Sequence, residues 1–451
     1  MTVPILIMRK GIWLLGLVVF LDMAGAEWHR YLVDNSSPAT GTCVQVSNGI
    51  PYIAYYNDAG LNLARWNQTG WHIDTIDHRP SYHNRGPSLV FDRSGNPQIA
   101  FFCGTPWHAY LDSEAWFVEE IDTDSAGDYI SLAIDARNRM QAAYNQGGGL
   151  AASWLKYAWR DSLGWHREVV DSSGGYDCVL RFDTAGVPCV GHCESWSNGA
   201  LYYFRRTGNG WVKDTVLADY ASQSSLVLDN QGDPHFSYYW TDGTNYDLRY
   251  CDRVGGAWRF DVVDHGLQLY KRGWDNCIAR AGDGSYHISY HCHNEGQLRY
   301  AHGNYGGWQV TVVDSAVGLW DLFSSIALDN LDRPYVAYCN SNQNDALYLA
   351  SLADLTGQEE KPAADGVRPM LAIGPNPCMG VLSLRLAGNS RRLARNAKLV
   401  MHDATGREVR RLDIEGAAEM HVDMRALPAG VYFIGLDAAD LAARQRIVKL
   451  K

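Results

Sequence analysis

The chain has 451 residues, a net charge of −11 and an aromatic share of 12%, including 16 Trp and 26 Tyr. That length is more than one compact domain usually holds, and the acidic balance argues against nucleic acid, whose phosphates call for a basic face. The acidity is uneven: residues 368–451 carry 14 Lys+Arg against 8 Asp+Glu, so the acidic excess lies before them.

From the N-terminus, Arg9-Lys10 precede the apolar run Gly11 to Leu21, and Ala24-Gly25-Ala26 has the small-x-small form of a cleavage site. Residues 1–26 therefore read as a secretory signal peptide, with the mature chain starting near Glu27. No other apolar run approaches the length of a membrane span. Next comes Trp28-His29-Arg30-Tyr31-Leu32-Val33-Asp34, a Trp followed after a few residues by an apolar residue and Asp. It returns at Trp71–Asp77, Trp116–Asp122, Trp165–Asp171, Trp211–Asp219, Trp258–Asp264 and Trp308–Asp314, with successive Trp residues 43 to 50 apart. Such a period means a propeller or a solenoid. A hairpin alternates with it: Ser88-Leu89-Val90-Phe91-Asp92, a turn through Gly95 and Pro97, then Ile99-Ala100-Phe101. Relatives lie at 44–55, 131–144, 179–192, 225–238, 278–290 and 325–338, and a Leu-x-Tyr strand such as Leu155-Lys156-Tyr157 follows the hairpin. Asp92, Asp135, Asp183, Asp229 and Asp329 are read as turn residues that bond their own backbone.

The two elements are offset. The chain opens on a Trp strand without a hairpin and ends on a hairpin without a Trp strand. An open row would leave two unpaired edges. A ring in which Trp28–Val33 completes the last unit leaves none. The expected fold for residues 27–354 is an all-β, seven-bladed β-propeller with strand-exchange closure, the repeated Trp and Tyr acting as wedges between blades. It resembles the secreted bacterial propellers of sialidase-type and lectin-type architecture, although the sialidase Asp-box is replaced by Asp92-Arg93-Ser94-Gly95-Asn96-Pro97.

Functional residues are expected where the period fails, on the face that collects the blade-to-blade loops and those joining second to third strands. Those loops carry Arg85, Trp107, His108, Glu194, Trp196, Trp240, Asp242, Arg272, Trp274, Asp275, His291, His293 and Trp320. Aromatic rings beside carboxylates, amides and Arg suit a glycan, since sugar C–H faces stack on rings and hydroxyls bond to polar groups. Equally, Trp107, Trp240 and Trp320 are the residues expected to cover loop hydrophobics. The leading reading is non-catalytic carbohydrate binding, with a glycan or polysaccharide as partner and no cofactor or metal. A polysaccharide lyase is the alternative, with Tyr270, His291 and His293 as acid and base candidates and Arg272 neutralising a uronate. A glycosidase at the same face and a protein–protein adhesion surface are the remaining ones. A zinc site on His291 and His293 lacks the usual ligand spacing.

Residues 355–369 form a polar Pro- and Gly-containing linker. Beyond it, Gly374-Pro375-Asn376-Pro377, Asp403-Ala404-Thr405-Gly406-Arg407, Leu427-Pro428-Ala429-Gly430-Val431-Tyr432 and the ending Arg446-Ile447-Val448-Lys449-Leu450-Lys451 resemble the C-terminal sorting domain of the type IX secretion system. The resemblance covers residues 370–451. It implies a small Ig-like β-sandwich, a partnership with that secretion machinery, and release or attachment at the outer-membrane surface by way of the periplasm. Export permits disulfides. Cys178 and Cys193 flank one hairpin and Cys277 and Cys292 the matching hairpin of another unit, so each pair is expected to bridge, with four buried free thiols as the rival reading.

Overall fold

Short runs of Val, Ile, Leu and Tyr punctuated by Gly, Asn and Asp fold as antiparallel ladders. In the computed structural model, residues 27–355 are described except 80–85, 113–114, 124–126, 128, 147–153, 173–175, 195–198, 268–269 and 320–321; between 370 and 449 the strands and some turns are described. Residues 1–26, expected to be the signal peptide, lie outside the described set, as does most of the linker.

β1 (His29–Asp34) is followed by a four-stranded meander, β2 (Thr40–Ser47), β3 (Ile50–Asn57), β4 (Gly60–Trp66) and β5 (Trp71–Asp77). The same unit recurs from Ser88 to Glu120, Ile130 to Asp171 and Arg272 to Asp314. Residues 176–264 form one seven-stranded sheet, because Gly210–Leu228 is a single strand. Its first half pairs with Gly199–Thr207 and its second with Pro234–Thr241. The sequence pattern separates these halves; in the structure they join through irregular residues, with Tyr220 and Gln223 at positive φ. In the last sheet, Ser325–Leu328, Pro334–Asn340 and Ala346–Ser351 are completed by β1, which runs antiparallel from His29 opposite Ser351 to Asp34 opposite Leu347.

This is a propeller-like all-β arrangement. Each sheet buries both faces against its neighbours, so the cores lie between sheets. One cluster joins Ala54, Leu61 and Leu63 to Leu89, Ile99 and Phe101 of the next unit. Another joins Val44, Ile53 and Tyr55 to Ala327, Tyr335 and Leu349 of the last sheet. Three polar devices repeat across these seams. At the innermost strands, whose edges would leave N–H groups unpaired, a side chain accepts the next unit's backbone. Ser88 Oγ takes Leu132 N–H (2.9 Å), Ser131 takes Leu180 (3.0 Å), Ser225 takes Ile278 (3.2 Å) and Ser325 takes Val44 (3.0 Å). Cys43 Sγ does the same for Leu89 at 3.3 Å. Second, the Asp ending a Trp strand accepts a Tyr hydroxyl of the following unit: Tyr55 to Asp34 (2.7 Å), Tyr144 to Asp122 (2.6 Å), Tyr290 to Asp264 (2.6 Å) and Tyr338 to Asp314 (2.8 Å). Third, the Trp indole donates to an acidic residue of the preceding unit, as from Trp165 to Glu119 (3.0 Å) and Trp211 to Glu168 (2.8 Å). The repeated Trp and Tyr are wedges between units, as their period suggests. Asp92, Asp135, Asp183, Asp229 and Asp329 each accept turn N–H groups two and four residues on.

The expected disulfides are corrected: Cys178, Cys193, Cys277 and Cys292 are free thiols. Cys178 stands opposite His192, one residue off Cys193, and Cys292 stands opposite Arg272 rather than Cys277. Since neighbouring strand positions face opposite sides, the members of each pair enter different cores. Cys178 packs with Leu155 and Leu180, and Cys193 with Leu201 and Leu226. Irregular pairing at the start of both inner strands is what shifts the register.

The C-terminal unit, residues 357–451, has a three-stranded sheet (Met370–Gly374, Val381–Ala387, Glu419–Asp423) and a four-stranded one (Glu408–Asp413, Lys398–Asp403, Gly430–Asp437, Arg444–Lys449). Leu382, Val400, Met401, Val422, Met424, Tyr432 and Ile434 are buried in it. The turn expected after Asp403 is closed by Asp403 N–H to Arg407 O at 2.9 Å.

Candidate ligand-binding site

One register lies three residues before the apolar residue that anchors each innermost strand. Gly41, Gly86, Tyr129, Asp177, Gln223, Asp275 and Phe323 occupy that position ahead of Val44, Leu89, Leu132, Leu180, Leu226, Ile278 and Ile326. At five of them the backbone is left-handed: φ is 55° at Gly41, 58° at Asp177, 49° at Gln223, 46° at Asp275 and 45° at Phe323. A left-handed residue with a side chain is costly and persists only where the surroundings hold it. A cavity of about 150 Å³ is lined by six of these positions, all but Gly41, and by Thr42, Ser224, Asn276 and Ser324 just after four of the seven.

The rim is cross-linked from unit to unit. Asp177 Oδ2 accepts Ser224 N–H (2.8 Å), Gln223 Oε1 accepts Asp275 N–H (2.7 Å), and Asp275 O accepts Ser324 Oγ (2.6 Å). Ser237 Oγ donates to Asn276 Oδ1 at 2.6 Å. Ser224 Oγ is buried beside the Cys193 thiol and makes no full hydrogen bond among the described residues. Among the described lining residues are two carboxylates, two amides, three hydroxyl side chains besides Tyr129, the rings of Tyr129 and Phe323, and no Lys, Arg or His.

Of the residues singled out in the sequence, Asp275 lies on this rim. A second group gathers beside it on neighbouring strands. The Trp274 ring sits 4.5 Å from His293 and 6.0 Å from Tyr239, and His293 lies 5.8 Å from His291. Lys271 Nζ is 5.6 Å from the Trp274 ring and 5.4 Å from that of Tyr246. Burial, aided by His293, pushes the His291 pKa down to about 3, and its Nε2 faces Gly318 O at 3.3 Å. His291 is thus a neutral, fully buried imidazole. Arg272 is buried as well, and its charge is neutralised: Nη1 bonds Glu295, and Nε lies 3.4 Å from Asp264. Arg299 joins both carboxylates, at 2.9 Å from Glu295 and 3.0 Å from Asp264. Against the effect of burial, the Glu295 and Asp264 carboxylates raise the Arg272 pKa. Tyr270 is half-exposed, its N–H on Leu267 O.

The other expected residues are not brought together. Arg79 lies 3.8 Å over the Trp107 ring and Arg249 lies 3.4 Å over that of Trp240, each also paired with an Asp. His108 is buried between Glu119 and Gln98, 3.0 Å from each, and burial lowers its pKa against the pull of Glu119. Asp242 closes its own turn by accepting Thr244 and Asn245 N–H. Glu194 is exposed, its N–H on Ala200 O. Arg85, Trp196 and Trp320 lie outside the described residues. Asp177, Gln223, Ser224 and Asn276 escaped the sequence reading. Their signal is positional: at one register the copies differ in residue type, while the Leu three residues on and the Ser before it recur.

Residues 372–450 match the family model described as the secretion system C-terminal sorting domain. That domain marks the chain for export to the cell surface or for secretion. Similar solved structures include the polysaccharide lyase Uly1, 10% identical over 69% of this chain and 89% of that one, with a TM-score of 0.45. A PL25 ulvan lyase is 15% identical over 71% and 95%, with a TM-score of 0.45. AofleA from Arthrobotrys oligospora is 13% identical over 65% and 90%, with a TM-score of 0.41. No curated protein matches the chain.

Proposed function

We propose that residues 27–354 form a seven-bladed β-propeller closed by β1, that an Ig-like sorting sandwich follows, and that the exported propeller binds a neutral carbohydrate without cleaving it. The axial cavity carries this reading. Amides, hydroxyls and carboxylates are the partners of sugar hydroxyls, and Tyr129 and Phe323 offer rings for a C–H face. Two carboxylates with no cation among the described lining residues disfavour an acidic sugar there. Trp274, with His293 and Lys271, supplies an aromatic platform beside the rim for a second residue of an oligosaccharide. The lyase reading keeps one favourable observation, the adjacency of Trp274, His291 and His293. It is weakened because Arg272 is already paired with two carboxylates and His291 is buried and neutral.

A glycan and polysaccharide array probed with the mature chain, with parallel detection of unsaturated and reducing-end products, tests it. Binding to neutral glycans without products is expected. Ser224→Ala should weaken it about fivefold, the loss of one hydrogen bond of about 1 kcal/mol. Products that disappear in His293→Ala would establish the lyase instead. Adhesion to a protein with no glycan bound would remove both readings.

A further inference from the structure

An outer strand offers its unpaired N–H and C=O groups to any chain that can pair with them, and charged side chains are the usual guard. Six sheet edges of residues 27–355 are Trp strands: His29–Asp34, Trp71–Asp77, Ala115–Glu120, Gly164–Asp171, Ala257–Asp264 and Gly307–Asp314. Three residues after the Trp, four of these edges carry an acid: Asp74, Glu119, Glu168 and Asp261. The edge His29–Asp34 has Tyr31 there, its hydroxyl bonded to Asp354 Oδ1 (3.0 Å) and to Leu355 N–H (2.7 Å), with charged Arg30 beside it. The edge Gly307–Asp314 has Thr311 instead. Its stretch Trp308-Gln309-Val310-Thr311-Val312-Val313 holds no charge, Gly or Pro, and the four residues from Gln309 to Val312 are exposed.

On its inner side this strand pairs antiparallel with Gln297–Asn304. Counted from the two-residue turn, whose closing pair is Asn304 and Gly307, Gln309 and Thr311 spend their backbone groups on that neighbour. Trp308, Val310 and Val312 turn theirs outward. Among the described residues no backbone group meets them there. Val310 is 37% and Val312 44% exposed, so apolar side chains flank the open ladder. The Trp308 indole, by contrast, is held on Asp261 Oδ2 at 2.9 Å, which anchors the strand to the preceding unit. An uncharged run of this length with high β-propensity is the kind that adds itself to another strand.

We infer that this edge pairs antiparallel with the same edge of a second copy of the chain, about a two-fold axis at Thr311. In that register Val310 of each copy exchanges backbone hydrogen bonds with Val312 of the other, and the two Thr311 side chains meet at the closely spaced, non-hydrogen-bonded position. Cross-strand Thr–Thr and β-branched pairs are favourable. The residue on the axis is what selects a second copy. The same two-fold on another edge would set Asp74, Glu119, Glu168 or Asp261 against itself, and like charges directly opposite repel. The ladder is short against the roughly 1,200 Å² that stable complexes bury, so the dimer is a weak one. The inference rests on this outer strand alone and needs neither ring closure nor carbohydrate binding.

Sedimentation velocity on residues 27–451, run from about 5 to 500 µM to span weak dissociation constants, tests it. The weight-average sedimentation coefficient should rise with concentration. Thr311→Glu, which copies the acid of the other edges, and Val310→Lys should each keep the protein monomeric at the highest concentration. Both replace exposed side chains, so neither should move the urea midpoint. Phe260→Lys, at the matching exposed place on the edge Ala257–Asp264, should associate as wild type does. A monomer at every concentration overturns the inference. So does association that survives both Thr311→Glu and Val310→Lys, which is what exchange of β1 between copies or pairing through residues 370–451 would give. An equal loss in Phe260→Lys overturns it too. Glycan binding on the array enters none of these outcomes.

Discussion

Ring closure stands or falls on Asp34. This side chain is buried, and it accepts Tyr55 Oη at 2.7 Å, Asn57 Nδ2 at 3.1 Å and Ser36 N–H at 2.9 Å. Tyr55 is fully buried, and both it and Asn57 belong to the first meander, whereas Asp34 ends a strand of the last sheet. Asp34→Ala therefore leaves two side-chain donors without their acceptor, one of them with no access to water. At about 1–3 kcal/mol for each buried group, the expected loss is about 2–4 kcal/mol. The internal reference is Asp122→Ala, at the equivalent seam between consecutive units. There Tyr144, Lys156 and Arg167 all converge on one carboxylate. Removing a partner from a buried ion pair costs about 3–5 kcal/mol. Urea denaturation of the mature chain gives both values from the shift in midpoint at unchanged slope. If Asp34→Ala falls within about 0.5 kcal/mol of wild type, as a surface substitution does, while Asp122→Ala costs several, the first and last units do not form a working seam. Burial opposes ionisation of Asp34, yet its three donors hold the pKa below the usual value. Its contribution is therefore present above the unfolded carboxylate pKa and is lost as pH falls through the folded one.

Burial also pushes the pKa of His192 down to about 4 and those of His287 and His291 to about 3. The unfolded chain then takes up protons first, near pH 6.5, so stability should fall as pH drops from about 6.5 toward 4. A urea midpoint that stays constant from pH 7 to 5 would contradict neutral buried imidazoles. Ser131→Ala removes the acceptor of Leu180 N–H and should lower stability by about 1 kcal/mol, while Ser94→Ala, on an exposed turn, should not. After unfolding without reductant, Cys178, Cys193, Cys277 and Cys292 should all alkylate, and a peptide linked through any two would show that they bridge after all. Removing residues 370–451 should leave a folded propeller that stays in the periplasm; normal delivery to the surface would separate the sorting match from the address.

The fold was legible because its devices recur in the chain. The Trp strand and the Ser-Leu hairpin each return at nearly fixed spacing, and both mark seams: the indole meets an acidic side chain of the preceding unit, and the Ser hydroxyl meets the next unit's N–H. The site was legible only in part, since a linear pattern gives the face of a residue but not its partner. Arg272 reads as an available cation until Glu295 and Asp264 are found on it. His108 and His291 read as loop residues, yet the alternation of their strands turns both inward. The disulfide expectation failed for a related reason. Spacing counts residues, and one irregular pairing moves a thiol to the opposite face.

The position of the cavity follows from the same architecture. Seams between units are fixed by packing, and at several of them a Tyr, Trp or Asp bonds to the neighbour. A substitution there disturbs two sheets at once. Three residues before each anchoring Val, Leu or Ile the residue type differs from copy to copy, Gly, Gly, Tyr, Asp, Gln, Asp, Phe, although Tyr129 and Phe323 also pack against cores and Asp177, Gln223 and Asp275 bond across units. Six of these unlike residues, all but Gly41, line one shared cavity. On the carbohydrate-binding proposal, repetition supplies the frame and the register that escapes repetition supplies the binding groups. Substitutions confined to that register should change what is bound while costing less stability than Asp122→Ala, since Gln223 gives up one backbone N–H and Phe323 part of a core contact. If Gln223→Ala or Phe323→Ala lowers stability as far as Asp122→Ala does, with glycan binding unaltered, the register is part of the frame and the binding surface must be sought on the Trp274 platform instead.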